Sequence, residues 1–128
     1  MAAFVGRRDE LASLGEIAAT AARGDVAAAV LAGDPGSGKS RLLAEIADRA
    51  DLAHRFHVTG YESERQVPLA SAADLLRRLS ELTTAGRRLD SLVFDAEAEG
   101  SALEPVRIFE AAHRVLRVIG PTLVLVDD

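Results

Sequence analysis

Apolar residues along this chain fall into two kinds of stretch: some recur every three or four positions, others form short unbroken runs. In RRDELASLGEIAATAARG, residues 7–24, Leu11, Leu14, Ile17, Ala18 and Ala21 share one helical face, and Gly24 is placed to end it. SRLLAEIADRA, 40–50, repeats that period through Leu42, Leu43, Ile46 and Ala50. LASAADLLRRLSEL, 69–82, does so through Ala72, Leu75, Leu76, Leu79 and Leu82. EPVRIFEAAHRVLRVIG is the last periodic stretch, with Pro105 at a helix start and Gly120-Pro121 as its stop.

The unbroken runs are shorter. VAAAVLA, 26–32, leads into a glycine-rich turn and reads as a buried parallel strand. RFHVTG, 55–60, and TLVLVDD at the C-terminal end read as two more strands, separated from the periodic stretches by loops such as YESERQVP. Residues 83–101 follow neither period and receive no assignment. Strands alternating with helices predict an α/β fold, helices on both faces of a mostly parallel sheet.

Composition narrows the partners. A formal charge of −5 and basic residues scattered in ones and twos exclude the basic stripe of a nucleic-acid-binding surface. With no cysteine there is no disulfide framework and no thiolate metal site, which fits a reducing cytosol. No apolar run approaches the roughly 20 residues of a membrane span. The N-terminal MAAFVGRRDEL lacks a signal-peptide core, so a soluble cytoplasmic protein is expected.

The candidate chemistry centres on GDPGSGKS, 33–40. Of the 15 basic residues only one is a lysine, Lys39, and it stands here. Gly33, four residues, then Gly38, Lys39 and Ser40 fits the P-loop spacing in full. Glycines let backbone N–H groups close round phosphate oxygens, and a helix starting near Ser40 turns its positive end to the same anion. A lysine ammonium is compact enough to follow the β- and γ-phosphates inside such a loop, where arginine's planar fork fits less well. Ser40 is the expected Mg²⁺ ligand. The plainer alternative is a glycine-rich strand-to-helix turn with a chance GKS, and the flanking strand and helix argue against it. TLVLVDD is the natural partner: Asp127 would hold Mg²⁺ as a Walker-B aspartate does, and Asp128 would orient or deprotonate an attacking water.

With those residues in hand, FVGRRDELASL, GDPGSGKSRLL, VPLASAADLLRRL and IFEAAHRVLRVIGPTLVLVDD resemble the nucleotide-binding module of STAND-type signal-transduction P-loop ATPases. The nearest look is to those of LuxR-type large bacterial transcriptional regulators. The resemblance spares only about 83–104. It implies a P-loop NTPase fold, three-layer α/β/α, over a single nucleotide-binding domain 1–128. Within it lie an N-terminal segment and helix (1–24), a Walker-A strand-loop-helix (25–51) and a Walker-B strand (121–128). It implies ATP and Mg²⁺ as ligands, with Val5, Gly6 and Arg7 near base and ribose. The loop set is then Gly33, Asp34, Pro35, Gly36, Ser37, Gly38, Lys39, Ser40 and Arg41, with Lys39, Asp127 and Asp128 as the catalytic groups. Family members hold ATP in a regulated state, hydrolyse it slowly and couple it to an output domain.

Where this sequence stops at Asp128, the family continues with a further strand that lies between the P-loop and Walker-B strands, then a lid and effector domains. The sheet is therefore expected to be incomplete, its two strands either paired directly or separated by a gap that another chain covers. Self-association, or the remainder of a larger regulator, follows as the expected partner. No residue takes the arginine-finger role: Arg41 reads as a solvated helix residue, and Arg107 and Arg114 line a helix face. Losing a finger costs on the order of 10³-fold in rate, so binding is expected to outlast turnover. Two other classes stay open: a small P-loop kinase and a non-catalytic interaction fragment. His54, His57 and His113 read as solvated, Tyr61 as capping a core edge, and the arginine pairs 7–8, 77–78 and 87–88 as solvated helix faces.

Overall fold

The computed structural model describes residues 6–67, 70–95, 99, 100, 102 and 104–127. They divide into two compact units, 6–56 with 121–127, and 57–120. In the first, α1 spans Arg8–Ala22 and α2 Lys39–Arg49. Two strands, β1 (His54–Thr59) and β2 (Thr122–Asp127), pair as a small parallel sheet; β1 begins in this unit and runs on into the next. Helices α1 and α2 pack on each other, and both pack on β2. The core is made by the periodic positions: Leu11 and Ala18 of α1, Leu42 and Ile46 of α2, then Leu52, Phe56 and Leu125. The architecture is α/β, as the alternating pattern predicts, in the form of a partial P-loop NTPase fold.

The second unit is helical beyond the end of β1. It holds α3 (Ala70–Leu82), the short α4 (Gly86–Asp90) continuing into a wide π-type turn at Ser91–Asp95, and α5 (Pro105–Ile119). These pack mutually, burying Leu76, Leu79, Leu89, Val93, Ile108, Ala111 and Val115. Gly86 is required by a close approach: a Cβ there would lie 2.0 Å from the Ser80 carbonyl oxygen, far inside contact distance. The Arg77 guanidinium lies 4.9 Å from the Phe94 ring centroid, so one of the arginines expected on a solvated face makes a cation–π contact instead. The segment left unassigned in the sequence thus supplies two of the most buried side chains, Leu89 and Val93.

One expectation is corrected. Residues 26–32 form no strand: 25–34 carry no regular structure and stand outside the two-stranded sheet. Val26 is 99% exposed and Val30 91%, the reverse of a buried strand. The physical reason is that a strand exists only through the ladder it shares with a neighbour, and β1 and β2 pair with each other instead. Direct pairing of the P-loop run with β2 is likewise not what forms. β2 itself is covered less than its sequence suggests, with Leu125 buried but Val124 and Val126 exposed. Tyr61 is exposed and caps no core edge; His57 and His113 are exposed, and His54 is half-buried. No described helix is long and apolar enough to cross a membrane.

Candidate functional site

The glycine loop lies in the first unit, between the unpaired run and α2. Gly36 and Gly38 take φ of 80° and 89°, left-handed values at which a side chain would be strained. Nothing lies within 4 Å of a Cβ built on either, so the loop is open where these residues sit. Gly38 is the N-cap of α2 and offers it no side-chain cap. The first turn of α2 carries no acidic residue, and its first two positions are Lys39 and Ser40. Asp34 accepts the Ser37 N–H at 3.1 Å and Gly38 accepts that of Leu42 at 3.0 Å. Among the described residues no acceptor takes the N–H groups of Gly36, Gly38, Lys39 or Ser40. The result is a cluster of free backbone donors at the positive end of an uncapped helix, the arrangement that suits a phosphate.

Lys39 spans this loop. Its Nζ donates to the Gly33 carbonyl at 2.8 Å and to the Asp34 carbonyl at 3.0 Å, which holds the ammonium at the loop without burying it in an ion pair. Gly33 is close-packed: a Cβ there would meet Ser37 Oγ at 2.8 Å. That hydroxyl is buried and has no hydrogen-bond partner. An orphaned buried hydroxyl on a loop that also carries free N–H groups is a polar group a ligand can complete.

Asp127 ends β2 half-buried, on the strand against which α2 packs, so the serine-bearing helix and the aspartate-bearing strand are neighbours. Ser40 and Arg41 are exposed on the first turn of α2. Hard oxygen donors of the Ser40 and Asp127 type are the set that Mg²⁺ takes. Val5 and Asp128 lie outside the described residues.

Gly6 and Arg7 both sit in the left-handed region, Gly6 at φ 91° and Arg7 at φ 54°, ψ 37°. Arg7 is the N-cap of α1, and its carbonyl accepts the Leu11 N–H at 3.0 Å. Its guanidinium reaches across thirty positions and donates, through Nη2, to the Ser37 carbonyl. The pair Arg7–Arg8 is therefore not simply a solvated helix face: both are exposed, but Arg7 is tied to the glycine loop. Periodicity and motif spacing carry no signal for that contact, because its two ends belong to separate elements.

Comparison with known proteins agrees with the loop. No curated protein and no solved structure matches the chain. A family model described as the AAA ATPase domain matches residues 3–128, from the N-terminal segment through the glycine loop to β2. The chain thus belongs to the AAA ATPase domain family, whose members are nucleotide-binding ATPase modules.

Proposed function

We propose that this domain is the Mg-ATP-binding switch of a STAND-type regulatory ATPase, of the kind found in LuxR-type transcriptional regulators. The observation that carries the reading is the uncapped start of α2: free N–H donors on Gly36, Gly38, Lys39 and Ser40, two left-handed glycines, and Lys39 poised on the loop carbonyls. In this reading the N–H groups receive phosphate oxygens, and Lys39 exchanges two neutral carbonyls for the β- and γ-phosphates. Charge-assisted bonds to phosphate are roughly twice as strong as those to neutral acceptors, so the exchange favours the ligand. Gly33, Asp34 and Pro35 shape the turn, Gly6 and Val5 flank the base and ribose, and Arg7 turns its guanidinium from that segment to the loop. Ser40 and Asp127 would hold Mg²⁺, which when bound neutralises charge developing on the transferred phosphoryl group. Asp128 orients the attacking water. With no arginine finger assigned, hydrolysis by this stretch alone is slow or absent.

The exposed valines of run 26–32 and the outer edge of β2 favour, as partner, either a second copy or the remainder of a larger regulator. They also support a second reading, in which the incomplete sheet holds nucleotide poorly and the domain serves as an interaction module.

Thermal melts of the 128-residue chain with and without Mg-ATP, beside Lys39→Ala, separate the two. At a hundred times Kd, ATP should add about 2.7 kcal/mol to the parent, a shift of several degrees. Lys39→Ala should lose about 2–5 kcal/mol of binding, and Asp127→Asn should weaken Mg²⁺-dependent binding more than metal-free binding. A folded parent that ATP does not shift would leave the interaction module standing, and variants that bind like the parent would remove the site assignment.

A further inference from the structure

The contact between Arg7 and Ser37 assigns a role to a side chain that sequence resemblance places only near the base. The Ser37 carbonyl belongs to the same rigid peptide plane as the Gly38 N–H, and the two point in opposite directions. A guanidinium bound to that oxygen fixes the orientation of the plane and polarises its far end. That far end is one of the free donors at the start of α2.

The backbone at Arg7 is arranged for this. A non-glycine residue at φ 54° is uncommon and costs about 1 kcal/mol or more. Here it lets one residue start α1 through its carbonyl while its side chain turns towards the loop. On the opposite flank, Lys39 ties the Gly33 and Asp34 carbonyls. Two cations thus hold three outward carbonyls of one loop, and Arg7 alone does so from outside the motif.

We infer that Arg7 is a positioning residue of the phosphate loop: it orders the Ser37–Gly38 peptide for anion binding through the Ser37 carbonyl, and acts on the phosphate end of the ligand without touching base or ribose. This rests on the phosphate-binding reading above.

Tripolyphosphate, which has neither base nor ribose, isolates the effect. The variants are Arg7→Asn, whose side chain tolerates the left-handed backbone but lacks the guanidinium, and Arg7→Lys, which keeps a cationic donor. Calorimetric titration with Mg-ATP and with Mg-tripolyphosphate should show Arg7→Asn weakening both by the same factor, about tenfold for one charge-assisted hydrogen bond. Arg7→Lys should recover part of the loss for both ligands. Weakening of ATP with tripolyphosphate untouched would make Arg7 a base or ribose contact, and no weakening of either would make the contact idle; each overturns the proposal. The ligand-free melting temperature of Arg7→Asn should stay within about 3 °C of the parent, the usual range for a surface substitution. A large fall would mean that the residue merely supports the fold.

Proton–nitrogen spectra of the ligand-free protein supply a readout independent of affinity. The Gly38 amide resonance should move in Arg7→Asn and move back in Arg7→Lys, with Gly36 much less affected; an unmoved Gly38 amide refutes the role. If Lys39→Ala leaves tripolyphosphate binding unchanged while Gly38 still responds to Arg7, the phosphate-binding reading fails and the Arg7 contact does not.

Discussion

The loop-bearing unit and the helical unit are built from sequence of similar hydrophobicity but reach closure differently. In the helical unit, Leu89, Ile108 and Val115 are completely buried, and α3, α4 and α5 cover one another. In the loop-bearing unit the two helices cover one side of β2, yet Val26, Val30 and Val126 remain in water. A helix satisfies its own backbone and needs only a partner face, whereas a strand needs a neighbour before it exists at all. The unit that carries the candidate site is therefore the one whose apolar residues are least spent on its own core.

The largest effect should separate the units most cleanly. Leu89→Ala removes a side chain with no exposed surface, and should cost about 2–5 kcal/mol in urea unfolding. Val30→Ala removes one that is already hydrated and should fall within about 0.5 kcal/mol of the parent. If Val30→Ala were as costly as Leu89→Ala, run 26–32 would be packed in solution and the contrast between the units would collapse.

A smaller effect asks what covers that run. Should a second copy do so, Val26→Lys together with Val30→Lys would raise the dimer dissociation constant at least tenfold, since burying one valine is worth about 1.5 kcal/mol or more. Stability of the dilute monomer would not change. Sedimentation equilibrium of parent and variant across micromolar concentrations reads this directly. A parent that stays monomeric throughout would remove self-association and leave a partner segment of a larger regulator.

How much of this was legible depended on the range of the interaction. The helices at 8–22, 39–49, 70–82 and 105–119 follow from the spacing of Leu11 and Ala18, Leu42 and Ile46, Leu76 and Leu79, and Ile108, Ala111 and Val115, because a helical face is a local pattern. β1 was equally plain, with Phe56 and Val58 alternating with exposed neighbours. The run VAAAVLA misled because an unbroken apolar stretch encodes suitability for a sheet interior and says nothing of whether neighbours are present. Helix α4 is too short to show a period, and the reason for Gly86 is the Ser80 carbonyl, which no local rule reveals. At the candidate site, loop spacing pointed to Gly36, Gly38, Lys39 and Ser40, and the structure gathers them at the start of α2. The spacing did not locate Arg7 on Ser37 or the orphaned Ser37 hydroxyl, both products of the folded loop.

The smallest effect tests whether charge contributes to the difference between the units. Each has an i,i+4 ion pair on a helix face: Glu45–Arg49 on α2 at 2.7 Å and Asp74–Arg78 on α3 at 2.8 Å. Exposed pairs of this kind are worth about 0.3–0.5 kcal/mol and weaken with salt. The α2 pair has one advantage, since both Nε and Nη2 of Arg49 approach the same Glu45 oxygen, and that glutamate is only 26% exposed. Its carboxylate is therefore less screened than that of Asp74, 62% exposed. Double-mutant cycles to alanine should give a coupling for Glu45–Arg49 at or just above the top of that range and for Asp74–Arg78 near its bottom, with 1 M salt removing most of the second. Equal couplings, or the reverse order, would show that half-burial on α2 does not protect the pair. In either result the charges remain about a tenth as important as Leu89, so burial rather than surface charge sets the stability of the helical unit.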